Sequence, residues 1–251
     1  MGLTIHYELR LPGNTADATA VHHLQRLHDY AVTLGSKVVC PVFFFNGAQL
    51  SLPDGEWKPG TVAWLFHVGT DVIRTFRDGV VNVIDDIDDK YLLAAAGFLV
   101  YPGEGSESAT FGLVRPLLTE PPENLEDHRN TDDWKHWYWQ SFCKTQYAST
   151  VSEEHFLFCH RTVISLLDEA RRIGFEVTVH DEGQYWETRD AELLLSEVRR
   201  SNVLIARFAG ALHDAIGSEH SVEAEIFSHP EFEHLEMEPV EERTDGNSSN
   251  V

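Results

Sequence analysis

Residues 138–148 read Tyr-Trp-Gln-Ser-Phe-Cys-Lys-Thr-Gln-Tyr-Ala, an aromatic-rich, strand-like run. It carries an amine, Lys144, and an amide, Gln146, where an ordinary core strand would carry neither. Burying such a group without a partner costs about 2–7 kcal/mol when it is neutral and more when it is charged. Both residues therefore need an internal partner, open water or a ligand. A helix pattern follows, with Phe156, Cys159/His160, Val163, Leu166/Leu167 and Ala170 recurring at three- and four-residue steps before Gly174. Residues 175–181 then alternate as a second strand that ends in His180-Asp181-Glu182-Gly183.

The same strand–helix–strand order opens the chain. Leu3, Ile5, Tyr7 and Leu9 fall on one face of a strand over 3–11, with Thr4, His6, Glu8 and Arg10 on the other. Pro12-Gly13-Asn14 breaks it, and Thr15 or Asp17 is placed to cap a helix bearing Val21, Leu24, Leu27, Tyr30/Ala31 and Leu34. Gly35 ends that helix, and 37–45 reads as a buried strand. A shift of 140 residues superposes Tyr7 on Tyr147, Leu24 on Ile164 and Leu27 on Leu167, which suggests an internal duplication. The order of elements predicts an α+β protein of two ferredoxin-like, βαβ-containing halves over antiparallel sheets, packed into one globule.

Between the units, 62–66 and 110–114 read as short strands, and 71–76 and 90–96 as short helices. A long helix is expected over 190–215, capped by Thr188 or Asp190, with Leu193/Leu194, Val198, Leu204/Ile205, Phe208 and Leu212 on its apolar side. The expected organisation is an N-terminal half over 1–118, an acidic, proline-containing connector over 119–133, a C-terminal half over 134–243 and a disordered tail over 244–251.

With 251 residues, 42% of them hydrophobic, the chain has ample core material. Its formal charge of −22, without a basic arm, excludes a nucleic-acid binder, since phosphate contacts need clustered Lys and Arg. Cys40, Cys143 and Cys159 have no CxxC spacing, which favours a reducing compartment over a disulfide framework. The N-terminus lacks the basic and apolar regions of a signal peptide, and the longest apolar run, 91–101, is about half of a membrane span. A soluble cytoplasmic protein with no membrane association is the expectation.

In an antiparallel sheet with helices on one face, the other face collects the alternate side chains. That places Thr4, His6 and Glu8 beside Lys144, Gln146, Thr178, His180 and Glu182. Lys144, His180, Glu182 and His6 are the candidate catalytic residues: imidazoles move protons near neutral pH, and the amine holds an anion or pairs with Glu182 or Glu8. Gln146, Asp181, Tyr185 and Glu104 are the candidate ligand-binding residues. Asp181 and Tyr185 lie where a strand gives way to a helix, and Glu104 lies in the turn Pro102-Gly103-Glu104-Gly105-Ser106-Glu107. That turn has no phosphate-loop signature. Fourteen histidines show no HExxH and no strong ligand spacing, so no metal or cofactor is implied. Neither Cys143 nor Cys159 shows a neighbouring base at recognisable spacing.

Gly2-Leu3-Thr4-Ile5-His6-Tyr7, the turn 102–107, and Ser141-Phe142-Cys143-Lys144-Thr145-Gln146-Tyr147-Ala148 resemble segments of a family of uncharacterised bacterial proteins. Residues 180–190 and Phe232-Glu233-His234-Leu235-Glu236 are similar to the same family. The resemblance implies a complete bacterial protein and carries no catalytic residue, substrate or fold. Two functions compete at this point. One is the binding of a small polar or anionic ligand, with or without its transformation by acid/base chemistry, at a Lys/His/Glu pocket. The other is a non-enzymatic acidic interaction module or homo-oligomer anchored by Trp134, Trp137 and Trp139.

Overall fold

The computed structural model describes residues 3–12, 14–35, 37–38, 41–48, 93–116, 136–216 and 225–237. The fold is α+β. Among the described residues seven strands form one sheet: β1 (Thr4–Leu11), β2 (Lys37–Val38), β3 (Phe43–Ala48), β4 (Leu93–Tyr101), β5 (Ala109–Pro116), β6 (Trp137–Lys144) and β7 (Glu176–Asp181). Their order is β2-β4-β5-β6-β1-β7, and β3 also pairs with β4. All pairings are antiparallel. The helices are α1 (Asp17–Thr33), α2 (Glu153–Ile173), α3 (Tyr185–Thr188), α4 (Ala191–Ile216) and α5 (Phe232–Met237). No described helix is long and apolar enough to cross a membrane.

Among the described residues the strands do not form two separate sheets, one per half. One sheet runs through both, and β1 of the first unit is inserted between β6 and β7 of the second. The expected equivalence of the two units is therefore changed in detail. β6 and β7 flank one strand, whereas β1 and β2 are separated by three. The expected connector and tail, the 62–66 strand and the 71–76 helix lie outside the described residues.

The alternation in β1 places the helices. Ile5, Tyr7, Leu9 and Leu11 are buried, and they form one core with Leu24, Leu27 and Ala31 of α1 and Val163, Leu167 and Ala170 of α2. α2 is bounded as its sequence suggests. Ser152 caps it by accepting from the His155 N–H, and Gly174 closes it at φ 114°. α1 instead starts at Ala16 without a side-chain cap, because Asp17 pairs with Arg115 of β5 and the Thr15 carbonyl accepts from Trp137 Nε1.

Residues 93–96, expected within a short helix, form the start of β4 instead. Their alanines favour a helix locally, but the ladders to β3 and β5 decide the outcome. β5 and β6 share one bridge among the described residues, Val114 with Tyr138. Beyond it the Thr110 carbonyl accepts from Trp139 Nε1 at 2.9 Å and from Tyr7 Oη at 2.8 Å. The indole lies so close that a Cβ on Gly112 would sit 2.6 Å from its ring atoms. Trp137 and Trp139 are thus core residues with essentially no exposed surface, which removes them as interface anchors.

α4 departs from its expected apolar side beyond residue 200. Val198, Asn202, Val203, Ala206 and Ala209 turn inward, and Phe208 (65% exposed) and Leu212 (38%) turn out. The cause is Asn202, which is buried to hydrogen-bond Gln146 and Ser149 and so sets the rotation of the helix. α5 and the turn before it dock on this half of α4 through Ile226 and Leu235, with Phe227 and Phe232 partly buried.

Candidate functional site

Three neighbouring strands place the predicted polar residues together. The register sets His6 opposite Phe142 on one side and His180 on the other, and sets Thr4 opposite Lys144. His6 and His180 are exposed, with ring centroids 6.1 Å apart and stacked, and Phe142, 54% exposed, lies 6.0 Å from the His6 ring. A row of three rings therefore crosses β6, β1 and β7 on the face opposite the helices. Glu8, Gln140 and Thr178 form the next rung. Glu182 borders the row and accepts from the Thr4 N–H through Oε2 at 2.9 Å.

Lys144 differs from its expected pairing. Among the described residues it meets no carboxylate. Its ammonium lies 4.5 Å from the centre of the Tyr147 ring and 3.5 Å from the Tyr147 hydroxyl. The reason is that β6 ends at Lys144 and the chain turns into a 3-10 helix, Gln146–Thr150, which brings Tyr147 under the amine. Glu107 is near, but its carboxylate accepts from the Lys144 backbone N–H.

That early end of the strand also takes Gln146 away from the open face. Its Oε1 accepts from the Leu3 N–H at 3.1 Å, and its Nε2 donates to Asn202 Oδ1 at 3.0 Å. Asn202 donates in turn to Ser149 Oγ. The amide is buried, with both its polar atoms engaged inside the protein, and it joins β1 to α4.

Asp181 is likewise internal. Its Oδ1 accepts from the Gly183 N–H at 2.8 Å, and its Oδ2 accepts from the Trp186 N–H at 2.9 Å. His160 Nε2 stands 3.1 Å from the same Oδ2, and His160 Nδ1 is 2.9 Å from Thr145 Oγ1. Burial alone would raise the Asp181 pKa. The hydrogen bond and charge of His160 and the two backbone N–H groups overcome it and hold the carboxyl below its ordinary value. An ionised carboxylate only accepts, so His160 Nε2 is the donor. The Thr145 hydroxyl shares the second hydrogen bond of the ring, at Nδ1. Hydroxyl, imidazole and carboxylate have the connectivity of a nucleophile relay. All three residues are buried, however, and the arrangement works as a joint between β6, α2 and β7. Sequence spacing gave no sign of His160, because its two partners are 15 and 21 residues away.

Tyr185 is half-buried, edge-on to His160 at 6.1 Å, on the helix side of the sheet. Glu104 is exposed on the turn between β4 and β5, and its carbonyl accepts from His155 Nε2 at 2.9 Å. This turn lies over the start of α2, where a Cβ on Gly103 would sit 2.7 Å from Cys159 Sγ.

That contact exposes a base the cysteine spacing did not suggest. His155, one helical turn before Cys159, has Nε2 at 3.5 Å from Sγ. A carbonyl oxygen has no proton to give, so the bond to Glu104 keeps the proton on Nε2 and prevents it from taking one from the thiol. Burial pushes the Cys159 thiol up to about 11 against a lowering by Ser106, and burial also raises that of Cys143. Neither is an activated nucleophile. Among the described residues no three His, Cys, Asp or Glu side chains converge as metal ligands. No protein-family model, curated protein or solved structure matches the chain.

Proposed function

We propose that the protein binds a small planar, anionic molecule on the open sheet face. The observation that carries this reading is the row Phe142–His6–His180, three exposed rings on one rung of three adjacent strands. Three exposed rings in one row offer stacking and edge contacts to a flat ligand. Lys144, without a carboxylate partner among the described residues, supplies a cation at one end of that platform. Glu182 borders it, and the two imidazoles are the groups suited to proton transfer. The members drawn from the earlier candidates are thus His6, His180, Lys144 and Glu182, with Phe142 added. Gln146, Asp181, Tyr185 and Glu104 fall outside.

The frame beneath the platform supports reading the fold as one ferredoxin-like unit extended at an edge. β1–α1–β5–β6–α2–β7 is a βαββαβ order, and its strands lie as β7-β1-β6-β5. Strands β1 and β6, which carry His6 and Phe142, are then its two central strands. Free, buried thiols at Cys143 and Cys159 are compatible with a cytoplasmic setting.

The test is an NMR titration of the histidine ring signals with a panel of aromatic carboxylates. Binding at the platform moves the His6 and His180 signals together and saturably, and His6→Ala abolishes the response. A panel that leaves both signals in place, or a ligand that binds His6→Ala equally well, overturns the reading. A second reading, an interaction module, is favoured by a different surface. Phe208 and Leu212 are one turn apart and exposed on α4, an apolar pair of the kind that partner proteins cover. Light scattering of wild type and Phe208→Ser tests it, with self-association lost in the variant.

A further inference from the structure

We propose that the surface formed by Arg161, Arg171 and Arg189 around Tyr185 and Trp186 binds a phosphate-bearing small molecule, independently of the open sheet face. The Arg161 guanidinium carbon lies 5.3 Å from the Tyr185 ring centre. Those of Arg171 and Arg189 lie 4.6 Å and 4.7 Å from the Trp186 ring centre. Three cations thus stand on two successive rings of one short turn, in a chain whose net charge is −22.

The acids on this part of α2 are already engaged. Asp168 takes both terminal nitrogens of Arg189 at 2.8 Å, and Glu169 is held by Arg172. Arg161 and Arg171 have no carboxylate partner among the described residues, although acids outnumber bases 41 to 19 in the chain. A guanidinium lying on a ring has its face covered and its plane fixed, while its in-plane N–H groups still point outward. Such a fork matches the oxygens of a phosphate and loses little freedom on binding it. Arg171 and Arg189 stand on the same indole, and because Asp168 takes the fork of Arg189, the uncommitted N–H groups on this ring among the described residues are those of Arg171. A carboxylate needs a single fork, as Asp168 shows; the three terminal oxygens of a phosphate can engage more than one.

The turn that presents the rings is held rigidly. Gln184 (φ 58°) and Arg189 (φ 57°) are the two non-glycine residues with left-handed backbone among those described, and they bracket α3. Each such conformation costs about 1–3 kcal/mol and persists where surrounding contacts impose it, commonly at binding sites. Here the imposing contact is the Trp186 N–H on Asp181 Oδ2. The recognition surface is therefore anchored in the buried His160–Asp181 joint.

The experiment follows the arginine Nε–Hε signals of the full-length protein by NMR, assigned through Arg161→Gln and Arg171→Gln. It compares inorganic phosphate, phenyl phosphate and sodium chloride at matched ionic strength. Saturable shifts at Arg171 and Arg161 with either phosphate are expected, with phenyl phosphate the tighter ligand if the small molecule rather than the free ion is the natural one. Arg171→Gln should weaken binding about tenfold, the worth of one charge-assisted hydrogen bond. Arg171→Lys, which keeps the charge but not the fork, should weaken it as well. Shifts no larger than those in sodium chloride overturn the proposal. So does an Arg171→Gln protein that melts at lower temperature yet binds phosphate unchanged, because stacking on Trp186 would then be its whole role.

Discussion

His160 Nε2 lies 3.1 Å from Asp181 Oδ2, and neither side chain has any surface exposed to solvent. The pair ties the middle of α2 to the end of β7, and Thr145, hydrogen-bonded to the other ring nitrogen, adds the end of β6. Asp181 also fixes the two backbone N–H groups that start the turn carrying Tyr185 and Trp186. The open face and the arginine surface lie on opposite sides of β7, and this joint holds both in position.

Acid should dissolve the joint. The Asp181 pKa is depressed in the folded state, so its contribution is complete above the unfolded carboxylate value of about 4 and is lost as pH falls through the lower folded value. Melting temperatures of wild type and Asp181→Asn, taken from pH 7 to pH 2, test the sign. The variant should be the less stable protein at pH 7 by about 3–5 kcal/mol, the cost of removing one partner of a buried pair. The gap should narrow below pH 4. A gap that stays constant across the acid range would show that Asp181 is not ionised in the folded protein.

Two glycines separate backbone strain from steric collision. Gly35 and Gly105 have φ of 76° and 75°. A Cβ at Gly35 would meet nothing within 4 Å, whereas one at Gly105 would lie 2.3 Å from the Tyr147 carbonyl oxygen. Gly35→Ala should therefore cost about 1 kcal/mol, the left-handed penalty alone. Gly105→Ala should cost more than twice as much, because a backbone atom cannot swing aside. Urea denaturation of the two variants measures the difference, and equal losses would refute the contact.

Local patterning made much of this architecture legible. The alternation of 3–11 and the Gly174 terminus are local signals, and the structure carries both. The polar face was readable for the same reason, since period-two alternation in three strands fixes one shared side. What the sequence could not show was where partners come from. The end of β6 at Lys144, which swings Gln146 inward, depends on Asn202, 56 residues away from that amide. The phase of α4 depends on the same residue. His160 looked like any apolar-face position of α2, and its partners become visible only once β6 and β7 flank β1.

The cysteines should be inert in the folded protein. Cys143 and Cys159 are buried, and their thiols are held protonated by burial. In a Cys40→Ser background, a thiol reagent at pH 8 should find neither thiol in the native protein and both after denaturation. Rapid native labelling of Cys159 would mean that His155 accepts its proton, contrary to the proton placement required by the Glu104 carbonyl.

Lys144 offers the sharpest separation of function from stability. Its ammonium rests on the Tyr147 ring at the surface of the molecule, a contact worth about 0.5–1 kcal/mol at an exposed site. Lys144→Met keeps the length of the side chain, loses the cation and leaves no carboxylate unpaired among the described residues. Its unfolding free energy should therefore fall by about 1 kcal/mol at most, and a double-mutant cycle with Tyr147→Leu should return a coupling of the same size. Anionic ligands that move the His6 and His180 signals should bind this variant about tenfold more weakly, while neutral analogues of the same rings should bind as before. A large stability loss would reveal a buried partner for the amine. Unchanged affinity for the anionic ligands would show that the cation stands outside the platform it borders.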